Sequence, residues 1–310
     1  MSEPKENICY FKGEYTALKN ANINIQTHAL QYGTACFGGI RGYWNEEHNN
    51  IYIFRIEDHY RRLKESASIL CMEFPYSLEK FTGIIKNILG KSEWKQNIYL
   101  RPVIYKSDLD ISPRLHNVGD SFFVYAIALD DYLDTQKGLN VCVSSWVRIH
   151  ETQIPTRAKA SGGYINSALA KSEAMQQGYD EAILFDINGN ISEGSASNIF
   201  FVRNGTLHTP DLSSSILEGI TRRTIMELAR ELGVDVVERN VSRSELYTAD
   251  EVFFAGTGVQ VAWIKNIDNR QIGDGQIGPL TKKLQSLFFE IVKGQKEEYN
   301  RWLTPVYDKK

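Results

Sequence analysis

Arg157-Ala-Lys159-Ala-Ser-Gly-Gly-Tyr164 places one lysine among small residues, after an apolar strand-like run at 139–149 and just before a helix-like run at 164–177. Small neighbours let another molecule approach the backbone closely. A lysine held out of water there is more easily neutral, and so a better nucleophile. Lys159 is therefore a candidate for carrying a covalent cofactor. The competing reading is a solvated loop lysine, the ordinary condition of that residue.

The surrounding composition narrows the choice. The chain has 310 residues, room for two domains, with 42% hydrophobic and 24% charged residues, as in an ordinary globular protein. Net charge is -3 without a basic stripe, so nucleic acid is not an expected partner. No apolar run reaches membrane-spanning length, and the polar first residues lack the apolar core of a signal peptide. Cys9, Cys36, Cys71 and Cys142 form no Cys-x-x-Cys pair. A cytoplasmic protein with reduced thiols and no metal is the expectation.

Residues 8–18 read as a hairpin turning at Lys12-Gly13. The stretch 26–43 is glycine-rich and aromatic without a period, either a buried turn or a pocket wall. Residues 57–70 are helical, with Tyr60, Leu63, Ala67 and Leu70 on one face and Arg62 beside it, placed to reach solvent or to hold a phosphate. Residues 97–105 alternate as a half-buried strand that puts Tyr99, Arg101, Val103 and Tyr105 together. Residues 121–129 read as a buried strand, and the polar run after them marks the boundary: a small domain 1–129, a linker 130–138 and a larger domain 139–310. Asn188-Gly189 and Asn204-Gly205 signal hairpins, the first expected as a type I′ turn.

Two further features join Lys159. Gly219-Ile220-Thr221 opens an amphipathic helix whose free N–H groups and dipole suit an anion; Thr221 can cap that helix or donate to the anion. Gly256-Thr257-Gly258 ends a strand in a second donor-rich turn. With Glu193 set among Ser, Gly and Ala before an apolar strand, there are an amine, a phosphate cradle and a lone carboxylate. That set fits pyridoxal 5′-phosphate: a lysine for its aldehyde, a helix N-terminus and an arginine for its phosphate, and a carboxylate for its ring nitrogen.

The order and spacing of several motifs, from Tyr15 to Trp302, resemble the branched-chain amino acid aminotransferases of the fold-type IV pyridoxal-phosphate class. They are His28-Ala-Leu-Gln-Tyr32-Gly-Thr-Ala-Cys-Phe37, Gly39-Ile-Arg41, His59-Tyr-Arg-Arg62-Leu, Tyr99-Leu-Arg101-Pro and Ala158-Lys159-Ala with Tyr164. Ile191-Ser-Glu193-Gly, Leu217-Glu-Gly219-Ile220-Thr221-Arg222 and Gly256-Thr257 follow. The resemblance implies a two-domain α+β or α/β fold and amino transfer between leucine, isoleucine or valine and 2-oxoglutarate. It implies Lys159 as the cofactor's attachment point and base, Glu193 at the ring nitrogen and Tyr164 at the ring oxygen. Arg62, the backbone at Gly219, Ile220 and Thr221, and Gly256-Thr257 would hold the phosphate, with Leu217 against the ring. Tyr99, Thr257 and Gly258 would take the substrate's α-carboxylate. Phe37, Gly39, Tyr132 and Tyr32 of the partner subunit would wall the side-chain pocket, with Arg41 and Arg101 as candidates for a γ-carboxylate. A homodimer at least is implied, and larger assemblies occur in the family.

Two departures bear on substrate range. Phe37-Gly38-Gly39-Ile-Arg41 stands where the family commonly has Phe-Glu-Gly-Ile-Arg, and Gly256-Thr257-Gly258-Val259-Gln260 where it has Gly-Thr-Ala-Ala-Glu. Both lose an acid, and broader acceptance, extending to (R)-amines or D-amino acids, is the alternative. A lyase of the same fold, or a carrier of the cofactor without turnover, fits less well: a carrier needs no electron-withdrawing partner for the ring, and Glu193 supplies one.

Overall fold

The computed structural model describes residues 6–129 and 137–307. It divides into two compact units: Met1–Asp130 with Ala158–Gly162 and Glu290–Lys310, and Asp131–Arg157 with Gly163–Phe289. The chain therefore changes units near residue 130. Two excursions cut across a linear division: the Lys159 segment and the C-terminal residues both belong with the first unit.

The first unit is an antiparallel sheet of eight strands. Ile98–Lys106 and Asp120–Ala128 pair along their whole length at its centre. Ile40–Asn45 and Asn50–Phe54 continue it on one side, and Leu303–Pro305 closes that edge. Ile8–Phe11 and Glu14–Ala17 form the expected hairpin on the other, with Lys12 and Gly13 both at positive φ. The helices Ile56–Ile69 and Leu78–Ser92 bury Leu63, Ala67, Phe81, Ile84, Ile85 and Ile88 against strand residues such as Ile51, Ile53, Leu100 and Phe122. The strand at 120–128 corrects the fully buried reading of 121–129. It alternates, with Phe122, Val124 and Ala126 inside and Phe123, Tyr125 and Ile127 toward solvent, because it has the helices over one face only.

The second unit is a mixed sheet of nine strands. Leu139–Val147 runs parallel to both neighbours, Glu181–Phe185 and Gln260–Ile267, and most other pairs are antiparallel. Its core is aliphatic and aromatic, from Val141, Ile183 and Ile199 to Phe201, Phe254 and Ile264. Asn204-Gly205 makes the expected hairpin, both at positive φ. Asn188-Gly189 does not make the expected type I′ turn: only Gly189 has positive φ. The Asp186 carboxylate accepts from the N–H groups of Asn188 and Asn190, and this side-chain turn replaces the backbone preference of Asn-Gly.

Candidate active site

In the first unit the Lys159 segment lies along the sheet. Its N–H donates to Ser66 Oγ at 3.2 Å, its carbonyl accepts from the Phe37 N–H at 3.1 Å, and Cys36 and Ala160 form an isolated bridge. The small residues have a structural reason that the sequence does not reveal. Gly162 N–H donates to the Gly33 carbonyl at 3.1 Å, and a Cβ on Gly33 would come within 2.8 Å of Gly162 Cα. Gly33 must be bare for the segment to seat. The lysine is thus fixed at its backbone on both sides, while its Nζ lies 5.2 Å from the Phe37 ring centroid.

Around that ring stand other expected residues. The Arg101 guanidinium sits 4.3 Å from the Phe37 centroid and 5.1 Å from that of Tyr99, and its buried Nε has no hydrogen-bond partner among the described residues. Gly39 abuts Tyr99: a methyl there would overlap the Tyr99 hydroxyl and lie 3.0 Å from Cζ. Gly39→Ala should therefore displace the Tyr99 side chain, as near-ultraviolet circular dichroism of the variant beside the parent would show. Arg41 is buried and donates to the Leu129 carbonyl at 3.1 Å, which ties it to the end of the sheet. Gly38 donates to the Pro102 carbonyl at 2.9 Å, and a Cβ there would reach within 2.8 Å of the Pro102 ring. An acid at 38 would need that strand to move.

Arg62 has a neighbour that sequence reasoning passed over. His59 is fully buried on the same helix, and its Nδ1 has no hydrogen-bond partner among the described residues. Burial, and then the charges of Arg62, Lys159 and Arg55, hold it well below its ordinary value of 6.5. The unfolded chain takes up this proton near pH 6.5 and the folded chain only at much lower pH, so stability present above 6.5 is lost as pH falls. His59→Gln should flatten that loss: urea unfolding at about pH 5 and about pH 7.5 should differ less in the variant than in the parent.

The second unit holds the carboxylate. Glu193 is 4% exposed at the end of the Ile191–Gly194 strand. Arg148 Nε stands 2.9 Å from its Oε1 as an ion pair, Asn198 Nδ2 donates to Oε2 at 3.1 Å, and the Leu217 N–H donates to the same oxygen at 3.2 Å. Two residues on from Leu217, Gly219 is the N-cap of the Ile220–Glu231 helix, and no side chain caps it. Thr221 is therefore inside the first turn and not the cap. The helix closes at Gly233, with φ +76°, and the Val234 N–H returns to the Ala229 carbonyl. Gly256 ends its strand, and Thr257-Gly258-Val259 form the turn into Gln260, itself buried at φ +58°. Tyr164 begins the Tyr164–Gln176 helix. Tyr132 lies outside the described residues.

A buried carboxylate met by two hydrogen-bond donors and an arginine ion pair thus lies beside a helix N-terminus that no side chain caps. The class IV amino-transferase family model matches residues 36–267. The chain belongs to the class IV aminotransferases, in the branched-chain group. Among curated aminotransferases of that group, a "probable branched-chain-amino-acid aminotransferase" of Aquifex aeolicus is 48% identical, aligned over 98% of both chains. The branched-chain aminotransferase of Thermoproteus uzoniensis, solved with norvaline, has TM-score 0.94 at 40% identity, covering 97% of this chain and all of that one. The branched-chain amino acid aminotransferase of Thermobaculum terrenum, solved in its PLP-bound holo-form, has TM-score 0.93 at 36% identity, covering 99% and 100%. The aminotransferase fold is the mixed α+β architecture expected from the motifs. No helix among the described residues is long and apolar enough to cross a membrane.

Arg148 and Asn198 are residues of this region that the motifs did not supply, while His59 stood in a motif without a role assigned to it. Arg148 follows the Leu139–Val147 strand, and Asn198 begins the Asn198–Arg203 strand. Nothing local distinguishes either from a surface arginine or a turn asparagine.

Proposed function

We propose that the protein moves an amino group between leucine, isoleucine or valine and 2-oxoglutarate, using pyridoxal 5′-phosphate. The observation that carries this reading is the Glu193 carboxylate, buried beside the uncapped N-terminus at Gly219. That donor set fits the cofactor's two charged ends, a ring nitrogen and a phosphate. The printed names of the curated relatives support the substrate class, and the PLP-bound form of the Thermobaculum terrenum enzyme supports the cofactor.

When bound, the group supplies a ring that accepts the electron pair left at the substrate's Cα. Lys159 would carry the group and then, as a free amine, would take the proton from the substrate's Cα and deliver one to the cofactor's C4′ and not back to Cα. Glu193 holds the proton on the ring nitrogen, and Tyr164 donates to the ring oxygen. Arg62, the N–H groups of Ile220 and Thr221, and Gly256-Thr257 hold the phosphate, while Leu217 packs on the ring. Tyr99 and the N–H groups of Thr257 and Gly258 take the α-carboxylate. Phe37, Gly39 and Tyr132, with Tyr32 of the partner subunit, wall the side-chain pocket. Arg101, with its unpartnered Nε among aromatic rings, suits the γ-carboxylate of 2-oxoglutarate better than Arg41, whose guanidinium is already held by a main-chain carbonyl. A cytoplasmic homodimer at least is part of the reading. Ile25, Leu30, Tyr32 and Ile111 stand exposed around the short His28–Tyr32 helix, an apolar surface suited to a second subunit.

Borohydride reduction of the holoenzyme followed by peptide mapping tests the chemistry: the adduct is expected on Lys159, and an adduct elsewhere or none overturns the reading. Following cofactor absorbance with L-Leu, L-Ile, L-Val, L-Glu, D-Ala and an (R)-amine tests the range. Turnover of the three branched-chain acids and L-Glu is expected. Failure with all four, or pyruvate release without an acceptor, would move the chain to another activity of the fold.

A further inference from the structure

Asn198 ties together the two ends of the second unit's half of the site. Its Nδ2 donates to Glu193 Oε2 at 3.1 Å and to the Leu217 carbonyl at 2.9 Å. Its Oδ1 occupies the place where a Cβ on Gly219 would stand, so Gly219 is bare because Asn198 is there. The side chain is 5% exposed, and its backbone is locked in the sheet by the Asn198↔Ala255 register. One rigid amide thus contacts the carboxylate, the Leu217 peptide and the residue that caps the Ile220–Glu231 helix.

Building on the pyridoxal-phosphate reading, we infer that Asn198 is a positioning residue that sets the spacing between the carboxylate meeting the ring nitrogen and the helix N-terminus meeting the phosphate. The residue type follows from its neighbours. Both amide hydrogens are used, one on the buried Glu193 carboxylate and one on the part-buried Leu217 carbonyl, so losing the amide removes a donor from each. Aspartate has the same shape but offers no donor, and its charge would face Glu193. Serine or alanine cannot span both acceptors. Glutamine adds a methylene where Gly219 already leaves no room.

The spacing role differs from simple support of Glu193 in what it does to ligands that reach one end or both. Pyridoxal has the ring nitrogen alone, whereas pyridoxal 5′-phosphate engages both ends. A residue that only supports Glu193 weakens the two equally when removed. A residue that sets their spacing reduces the advantage conferred by the phosphate.

The test measures equilibrium dissociation constants of pyridoxal and pyridoxal 5′-phosphate for the full chain, the parent beside Asn198→Ala and Gly219→Ala. The second variant pushes the Asn198 amide out of place from the other side while leaving the amide present, so it stands if the first fails to fold. The ratio of the two constants is expected to shrink at least about tenfold in each variant that folds. The absorption band of the bound cofactor should also move, as the carboxylate shifts from the ring nitrogen. A ratio unchanged in both variants, with the parent binding normally, overturns the role of Asn198 and leaves the cofactor reading standing. A parent that binds neither compound overturns the cofactor reading itself.

Discussion

Lys159→Ala should retain less than about one ten-thousandth of the parent kcat while folding normally. General acid–base catalysis by a positioned side chain contributes about 10²–10⁴-fold, and this lysine is also proposed as the attachment point, so the upper end applies. Folding should survive because the segment is held through its main chain. Ser66 Oγ meets the Lys159 N–H, the Phe37 N–H meets its carbonyl, and Gly162 pairs with Gly33, none of which uses the lysine side chain. The measurement is a single-turnover half-reaction with cofactor supplied in excess, beside thermal unfolding of the same sample. Lys159→Arg should be as inactive as the alanine variant, because a guanidinium stays protonated and cannot accept a proton from Cα. Activity within about tenfold of the parent in either variant would remove Lys159 from the chemistry.

How this lysine is seated explains what could be read in the sequence. The signal was the run of small residues at 157–164, whereas the close approach that seats the segment is set by Gly33, a residue far away in sequence, where a Cβ would meet Gly162 Cα. Hairpins at Lys12-Gly13 and Asn204-Gly205 and the helix at 57–70 were legible because local turn chemistry and a 3.6-residue stripe decide them. The strands Ala35–Phe37, Ile40–Asn45 and Asn50–Phe54 were not. Nearly all their residues are buried on both faces, so no alternation marks them. Lys106 was invisible in the same way. It is fully buried and pairs with Asp120 at 2.9 Å, with its ammonium also donating to the Cys71 and Val118 carbonyls, contacts that exist only once the sheet closes. The motifs gave the residues proposed to touch the ligand, whereas Asn198 and Arg148 act on Glu193 through folded geometry that no spacing encodes.

Glu193→Ala should lower kcat/KM about 10³-fold, the scale seen when a single preorganised electrostatic partner is removed. The surroundings make the usual isosteric rescue fail. Asn198 and the Leu217 N–H donate to this carboxylate, and the Arg148 guanidinium pairs with it as an ion. Glutamine must turn its own NH₂ toward at least one of them, so Glu193→Gln places donor against donor in a buried site and should be no more active than the alanine variant. Aspartate keeps the charge but withdraws it by one methylene, so Glu193→Asp should be the most active of the three and still below the parent. Removing the acid also leaves Arg148, 14% exposed at its side chain, without its ion-pair partner. That should cost about 3 kcal/mol of stability, measured by urea unfolding of the cofactor-free chain. Arg148→Met in the Glu193→Ala background should restore most of it without restoring turnover. Recovery of stability and activity together would mean that Glu193 serves the fold and not the ring nitrogen.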